Sequence, residues 1–325
     1  MQYGKPHLTL DEQMAQLAAR GLRIDDSPSA RRVLETVGYY RFSAYAYPFR
    51  QPLAVGVVPE TSVQFRADTF VEGAAFGWAQ QLWGFDRALR LLILDAVETV
   101  EIALRAKVSF HLGHRDAFGH LSRASLDPAK CDRPDAEHPG SSSYDVWRDR
   151  FVQHQERAVS EDFIRHYVEK YDARLPVWVA TEVMELGQLV RLFGFMTDGD
   201  QSLVSKDMAG VSGAVFARWL KVINYVRNLC AHHARLWNRR LTYKLGRIPE
   251  NAPGLLHLNA IPNSRERIYA VCAVVCFLTD AIRAEDAWGR RLAALIDRFP
   301  GSLPVAPETD MGFPDGWRPL PLWSR

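Results

Sequence analysis

The sequence predicts an all-α protein, built as a multi-helix bundle with a helical extension at its N-terminus. Apolar residues recur at three- and four-residue spacing over long stretches, above all from Phe85 to Leu112. A capping box, Thr9 followed by Glu12, is predicted to open the helical stretch 10–20, which Gly21 closes, and Gly38 closes the next stretch. Glycine-rich phosphate loops and internal repeats are absent from the sequence.

Composition excludes several protein classes. The 325 residues are 47% hydrophobic and 24% charged, which is typical of globular proteins and not of disordered, collagen-like or coiled-coil chains. The formal net charge is only +2, so any surface for nucleic acid must be local. Four cysteines in a chain of this length do not indicate a disulfide framework, and we expect reduced, buried thiols. With no signal-like start and no apolar run of membrane-spanning length, we expect a cytoplasmic protein without membrane association.

The helix signals predict bounds for the main elements. Ser27 is predicted as an N-cap with Pro28 at the first helical position, and Ser212 as the cap of a strong later helix. A helical pattern begins at Asp68, and Gly73, Gly77 and Gly84 are predicted to break its first half. The second half of this pattern, Phe85 to Leu112, is apolar on more than one side, which predicts a central helix. The other predicted helices cover residues 10–20, 27–37, 145–171, 213–240, 264–283 and 285–298.

These signals divide the chain into three parts. Residues 1–66 form the N-terminal helical extension, and 67–299 form the helical core. Within the core, residues 113–145 are rich in proline, histidine and serine, which indicates an insertion or loop excursion. Residues 300–325 form a proline-rich tail, predicted to be extended over the surface.

Positive charge is concentrated in one segment. Between Met208 and Ile248 there is no aspartate or glutamate, and such a one-signed stretch would attract polyanions. Its alternative role is a solvated face paired with acids elsewhere in the fold. The segment contains Arg227 and Arg247, together with six candidate RNA-binding residues: Arg218, Lys221, Arg235, Arg239, Arg240 and Lys244.

A polar constellation lies inside this basic segment. On a helix, Asn228 and His232 share one face, so Asn228 can orient the ring of His232. Arg227 is five residues from His232, roughly 140° around the axis, so the two are not obvious partners on one straight helix. Either the helix distorts, or another element or a second copy of the chain completes the site.

These residue types suit metal-independent RNA cleavage. Histidine serves as a base or acid near neutral pH, and arginine stabilises phosphate charge. We therefore identify Arg227 and His232 as candidate catalytic residues, with Asn228 orienting and His233 sharing or replacing the proton transfer. Cys230, His232 and His233 lie too close on one helix to surround a zinc ion, so we expect no metal and no other cofactor.

The arrangement Arg227-Asn228-x-x-x-His232 resembles the Arg-x4–6-His motif of HEPN (higher eukaryote and prokaryote nucleotide-binding) ribonucleases. The wider string NYVRNLCAHHARLWNRRL resembles the Abi-like abortive-infection proteins of the AbiD/AbiF group. Four further blocks carry the same resemblance in order along most of the chain: GYYRFSAYAYPFR, FDRALRLLILDAVETVEIALRAKVSFHLG, LPVWVATEVMELGQLVRLF and MGFPDGWRPLPLW.

The resemblance implies a HEPN core and an anti-phage, toxin-like endoribonuclease. It implies homodimers with composite sites and, in related systems, restraint by a cognate small RNA as in a toxin–antitoxin pair. Glu101 and Arg105 resemble a supporting pair on an earlier HEPN helix, but the interpretation we favour is a structural (i, i+4) salt bridge. Residues 127–143 are longer and more polar than the family pattern. The alternative function is a non-catalytic RNA-binding or RNA-sensing scaffold, and a protein-interaction subunit is a third hypothesis.

Three weaker candidates have structural alternatives. The aromatic and arginine block 39–50 can stack RNA bases or pack in the core. His111, His114 and His120 are expected to lie exposed near a helix end. Trp178 and Met184 are expected in the core.

Overall fold

The computed structural model describes residues 4, 6–54, 56–59, 61, 64–261 and 263–324. The protein is 64% helix and 4% strand, which confirms the all-α class. No helix in these ranges is both long enough and apolar enough to cross a membrane. The helices are α1 Leu10–Ala19, α2 Ser27–Val37, α3 Tyr39–Ala46, α4 Phe76–Arg115, α5 Pro128–Cys131, α6 Ser143–Arg157, α7 Asp162–Lys170, α8 Val177–Val183, α9 Leu186–Phe195, α10 Asp198–Met208, α11 Gly213–Ala231, α12 His257–Ala260, α13 Ile268–Ile282, α14 Trp288–Asp297, α15 Pro307–Met311 and α16 Pro321–Ser324; the strands are β1 Arg50–Pro52 and β2 Arg66–Phe70.

The chain forms two compact units. The first comprises Met1–Leu89 with Leu295–Asp310, and the second comprises Arg90–Ala294 with Met311–Arg325. The division predicted from the sequence, into an N-terminal extension (1–66), a helical core (67–299) and a C-terminal tail (300–325), stays a prediction.

The first unit is built on a buried aromatic cluster. The rings of Phe42 and Phe76 stack with centroids 4.0 Å apart. Tyr45 is buried and donates a 2.6 Å hydrogen bond to Asp86, a buried carboxylate that would be costly without such a partner. Phe49 is also buried, whereas Tyr40 is 90% exposed. The aromatic block 39–50 therefore packs mainly in the core, and β1 and β2 pair antiparallel directly after it.

The second unit is centred on α13. Eleven residues from Ile268 to Thr279 are buried on all sides of this helix, including Cys272 and Cys276, which are free thiols as predicted. The prediction that the second half of α4 is the central helix is wrong. That half has a solvent face on which Ile102 is 58% and Phe110 68% exposed.

Local signals located several helix ends. Thr9 and Glu12 form the predicted capping box, with both reciprocal hydrogen bonds present. The N-cap of α2 is Asp26, one residue before the predicted Ser27, because the Asp26 side chain accepts a hydrogen bond from the Ser29 amide. Between β1 and β2, positions 55, 60, 62 and 63 lie outside the described residues.

Other local predictions are wrong. Gly77 and Gly84 do not break α4, which continues for 40 residues because its packed face outweighs the weak helix propensity of glycine. The helix predicted over 145–171 is divided into α6 and α7 by a tight turn at Ala158–Ser160.

The C-terminal tail is packed, not extended over the surface. Within the second unit, α13 contributes Tyr269, whose ring lies 4.5 Å from that of Phe313 and 5.6 Å from that of Trp323. Met311 and Trp317 are buried as well. Pro307 and Pro321 begin the short helices α15 and α16, so the proline content of the tail was a poor guide to burial.

Two predictions about side-chain burial, those for Trp178 and His120, are wrong. Met184 is buried as expected, but Trp178 is 49% exposed. Helix α8 buries Val177, Ala180 and Thr181, and Trp178 lies to one side of that stripe. His120, expected in solvent, is fully buried.

His120 is a buried neutral histidine. Neither ring nitrogen has a hydrogen-bond partner among the described residues, and the ring packs edge-on against Phe151 at 5.4 Å. Desolvation lowers the pKa of His120 from 6.5 to about 4. Between these two pKa values, the unfolded chain binds a proton at this residue that the folded chain does not.

We expect His120 to make the protein acid-sensitive. As pH falls from 7 to 4.5, protonation of the unfolded state at this residue removes about 2–3 kcal/mol of folding free energy, and well above pH 6.5 it has no effect. Urea unfolding at both pH values should show a smaller loss for His120→Leu than for the wild type. Equal losses in the two proteins would contradict this assignment.

Candidate active site

Helix α11 ends where the candidate catalytic histidines begin. Ser212 caps its start as predicted, accepting from the Val215 amide. The predicted extension to residue 240 is wrong, since the helix ends at Ala231 and His232 is the C-cap.

A Schellman turn terminates the helix. The amide of Ala234 donates to the carbonyl of Leu229 at 2.9 Å, and the amide of His233 donates to Cys230 at 3.0 Å. His233 takes the left-handed position of this turn, with φ 56°, which is normally a glycine position. Non-glycine residues held in this region store strain, and such residues cluster at functional sites.

Beyond the turn, the chain runs back along the exposed side of α11. Thr242 lies beside Tyr225, with their hydroxyls 3.2 Å apart. Gly246 lies against the guanidinium of Arg218, with no room there for a β-carbon. The returning segment is anchored by five buried apolar residues: Leu236, Trp237, Leu241, Leu245 and Ile248.

The candidate RNA-binding residues are therefore divided between two elements. Arg218 and Lys221 are exposed on α11, and Arg240 and Lys244 are exposed on the returning segment. Arg235 and Arg239 are half-buried, and Arg239 donates to the carbonyl of Arg235 at 3.5 Å. The structure brings the basic residues together, but on two antiparallel stretches of chain.

One of these charges is paired with an acid from elsewhere in the fold. Lys244 lies 2.6 Å from Glu266, and this contact lowers the pKa of the Glu266 carboxyl. The alternative role predicted for the basic segment was pairing with acids elsewhere in the fold, and Lys244 makes one such pair. The pair is solvated, so its contribution to stability is small.

Asn228 connects the two candidate catalytic residues. Its side-chain oxygen accepts a 3.3 Å hydrogen bond from Arg227, and its carbonyl accepts one of 2.9 Å from the His232 amide. In the described part of the chain, the His232 ring has no hydrogen bond or ion pair, and it is exposed to solvent. The orienting contact of Asn228 is thus made to Arg227 and not to the His232 ring.

Arg227 faces a cleft on the other side of α11. The cleft has a volume of about 420 Å³, and Arg227 shares it with Glu101 and Arg105. His232 is not among its lining residues. Two further carboxylates line this cleft, Glu98 and Glu182, and neither was among the candidate residues predicted from the sequence. Glu98 was detectable, because it stands one helical turn before Glu101 on α4.

Glu101 and Arg105 fix the wall of this cleft. Their side chains are 2.5 Å apart and only 16% and 14% exposed. Arg105 also donates to the carbonyl of Met184 at 2.7 Å and to that of Thr181. These carbonyls lie at the end of α8, so Arg105 joins α4 to α8 and the pair has a clear structural role.

We expect the backbone strain at His233 to lower the free energy of unfolding by a measurable amount. His233→Gly and His233→Ala remove the same side chain, but only glycine adopts positive φ without steric cost. The glycine variant should have a free energy of unfolding about 1 kcal/mol higher than the alanine variant, by urea denaturation. Equal stabilities would show that the left-handed conformation carries no strain.

Comparison with known proteins adds one finding. The sequence matches the family described as Abi-like protein over residues 32–238, a span that includes Glu101, Arg105, Arg227 and His232. No curated protein and no solved structure matches the chain. Since the matched span covers well over half of the chain, this protein belongs to the Abi-like protein family.

Proposed function

We propose that this protein is a metal-independent endoribonuclease acting in abortive infection. The observation that carries the proposal is the end of α11, where an exposed His232 adjoins the Arg227–Asn228 hydrogen bond and a basic surface. Membership of the Abi-like family supports the defence role. The AbiD/AbiF assignment and the HEPN core belong to the same proposal.

RNA supplies its own nucleophile in this reaction. His232 removes the proton from a 2′-hydroxyl, whose oxygen attacks the adjacent phosphorus. The bond to the 5′-oxygen breaks, that oxygen takes up a proton, and a 2′,3′-cyclic phosphate remains. Exposure of His232 gives substrate access to its ring, and His233 is positioned next in the chain to share proton transfer.

Arg227 stabilises the charge that develops on the phosphate. Its guanidinium is fixed by Asn228, so less entropy is lost when it binds phosphate. In one chain, however, Arg227 faces a cleft that does not include His232. We therefore propose a homodimer in which Arg227 of one copy acts with His232 of the other.

Regulation belongs to the same proposal. A cognate small RNA that occupies the basic surface, including Arg218, Lys221, Arg240 and Lys244, would block access to His232 without covalent change. Because phosphate contacts dominate such binding, restraint would weaken as salt concentration rises.

The second candidate is a non-catalytic RNA-binding or RNA-sensing scaffold. It is favoured by the separation of Arg227 from His232 around α11, since a scaffold needs neither residue beside the other. A scaffold would keep its RNA affinity when His232 is replaced.

We expect both His232→Ala and Arg227→Ala to lower RNA cleavage at least about 100-fold. Purified variants would be incubated with cellular RNA in EDTA, and ends carrying 2′,3′-cyclic phosphate would be counted by sequencing. His166→Ala, which removes an exposed histidine of α7, is the matched control and should cleave like the wild type. Full activity of His232→Ala would refute the proposal.

Mixing the two inactive variants tests the composite site. If each site takes Arg227 from one copy and His232 from the other, a mixed dimer keeps one intact site, and random mixing restores about a quarter of wild-type activity. If both residues act within one copy, the mixture stays inactive.

A further inference from the structure

A tyrosine–lysine cluster lies beside the candidate active site. It consists of Lys221 and Tyr225 on α11 with Thr242 and Tyr243 on the returning segment. The ammonium of Lys221 lies over the Tyr243 ring, 4.4 Å from its centroid. The Tyr225 ring meets Tyr243 edge-on at 5.4 Å, and its hydroxyl lies 3.2 Å from that of Thr242.

These contacts hold an aromatic ring that is still partly open. Tyr243 is 40% exposed although its ring contacts both the Lys221 ammonium and the Tyr225 ring. A side chain fixed in this way loses little conformational entropy when a ligand binds. Cations lie close to this exposed residue: the Lys221 ammonium lies over its ring, and Arg218 is exposed one turn before Lys221 on α11.

The cluster is aligned with His232. Arg218, Lys221, Tyr225, Asn228 and His232 follow one another at spacings of three and four residues, so they occupy one face of α11. Seven residues separate Tyr225 from His232, about 10 Å along the helix axis. That distance suits a nucleotide one or two positions from a phosphate held at His232.

We propose that the tyrosine–lysine cluster is a binding site for an unpaired nucleobase, and that it directs this protein to single-stranded RNA. The base stacks on Tyr243 while Lys221 and Arg218 contact the neighbouring phosphates. Aromatic rings within a basic surface are how proteins bind single strands without reading sequence. A base inside a duplex is stacked on its neighbours and cannot reach the ring. This inference rests on the proposed function, because it names the substrate class of that site.

Tyr243→Leu in a His232→Ala background is the direct test, since that background prevents cleavage during binding. Affinity would be measured for an unstructured RNA oligonucleotide and for a duplex of equal length. We expect Tyr243→Leu to weaken single-strand binding about fivefold or more and to leave duplex binding unchanged. Tyr243→Phe restores an aromatic ring and should recover the lost affinity.

Tyr171 provides a matched control elsewhere in the chain. It is 46% exposed, meets the Tyr167 ring at 5.3 Å, and has the Lys170 ammonium 5.2 Å from its centroid. Tyr171→Leu removes an equivalent ring outside the basic segment, so single-strand affinity should not change.

A second measurement needs no substitution at the cluster. The His232→Ala protein should bind an abasic ribose-phosphate strand about fivefold less tightly than the same strand with bases. Equal affinity for the two strands, or equal losses for single strand and duplex in Tyr243→Leu, would overturn the nucleobase site while leaving the cleavage test intact. Absence of any RNA binding would overturn the site and the proposed function together.

Discussion

The Schellman turn at Ala231–Ala234 determines the arrangement of the whole candidate site. By ending α11 there, it leaves His232 at an exposed helix end and places His233 at positive φ. It also reverses the chain, so that the returning segment lies along α11. Without this turn, the basic residues after Ala231 would continue along a single helix, and the tyrosine–lysine cluster would not form.

Charge is distributed unequally around α11. The face that carries His232 also carries Arg218 and Lys221, whereas Arg227 faces a cleft with Glu98, Glu101 and Glu182. A polyanion would be attracted more strongly to the first face, since the carboxylates of the second partly offset the charges of Arg227 and Arg105. Because Arg227 and His232 face different sides of α11 in one copy, we propose a composite site between two copies.

Sequence patterns predicted what depends on local chemistry and missed what depends on tertiary packing. The Thr9 capping box and the Ser212 cap follow from side chains acting on nearby backbone, and the all-α class follows from the spacing of apolar residues. The end of α11 was not predictable in this way, because no glycine or proline marks it and a histidine takes the left-handed position. Burial of His120 and exposure of Trp178 depend on which neighbours cover a helix face, and periodicity alone does not decide that.

The most direct test of the central claim changes the substrate and leaves the protein as it is. Wild-type protein in EDTA would be given a single-stranded RNA with a mapped cleavage position, and the same strand with a single 2′-deoxy substitution on the 5′ side of that position. If the 2′-hydroxyl is the nucleophile, cleavage at that position should disappear while other positions are still cut. Cleavage of the 2′-deoxy strand at the original position would contradict the account, because it would require another nucleophile.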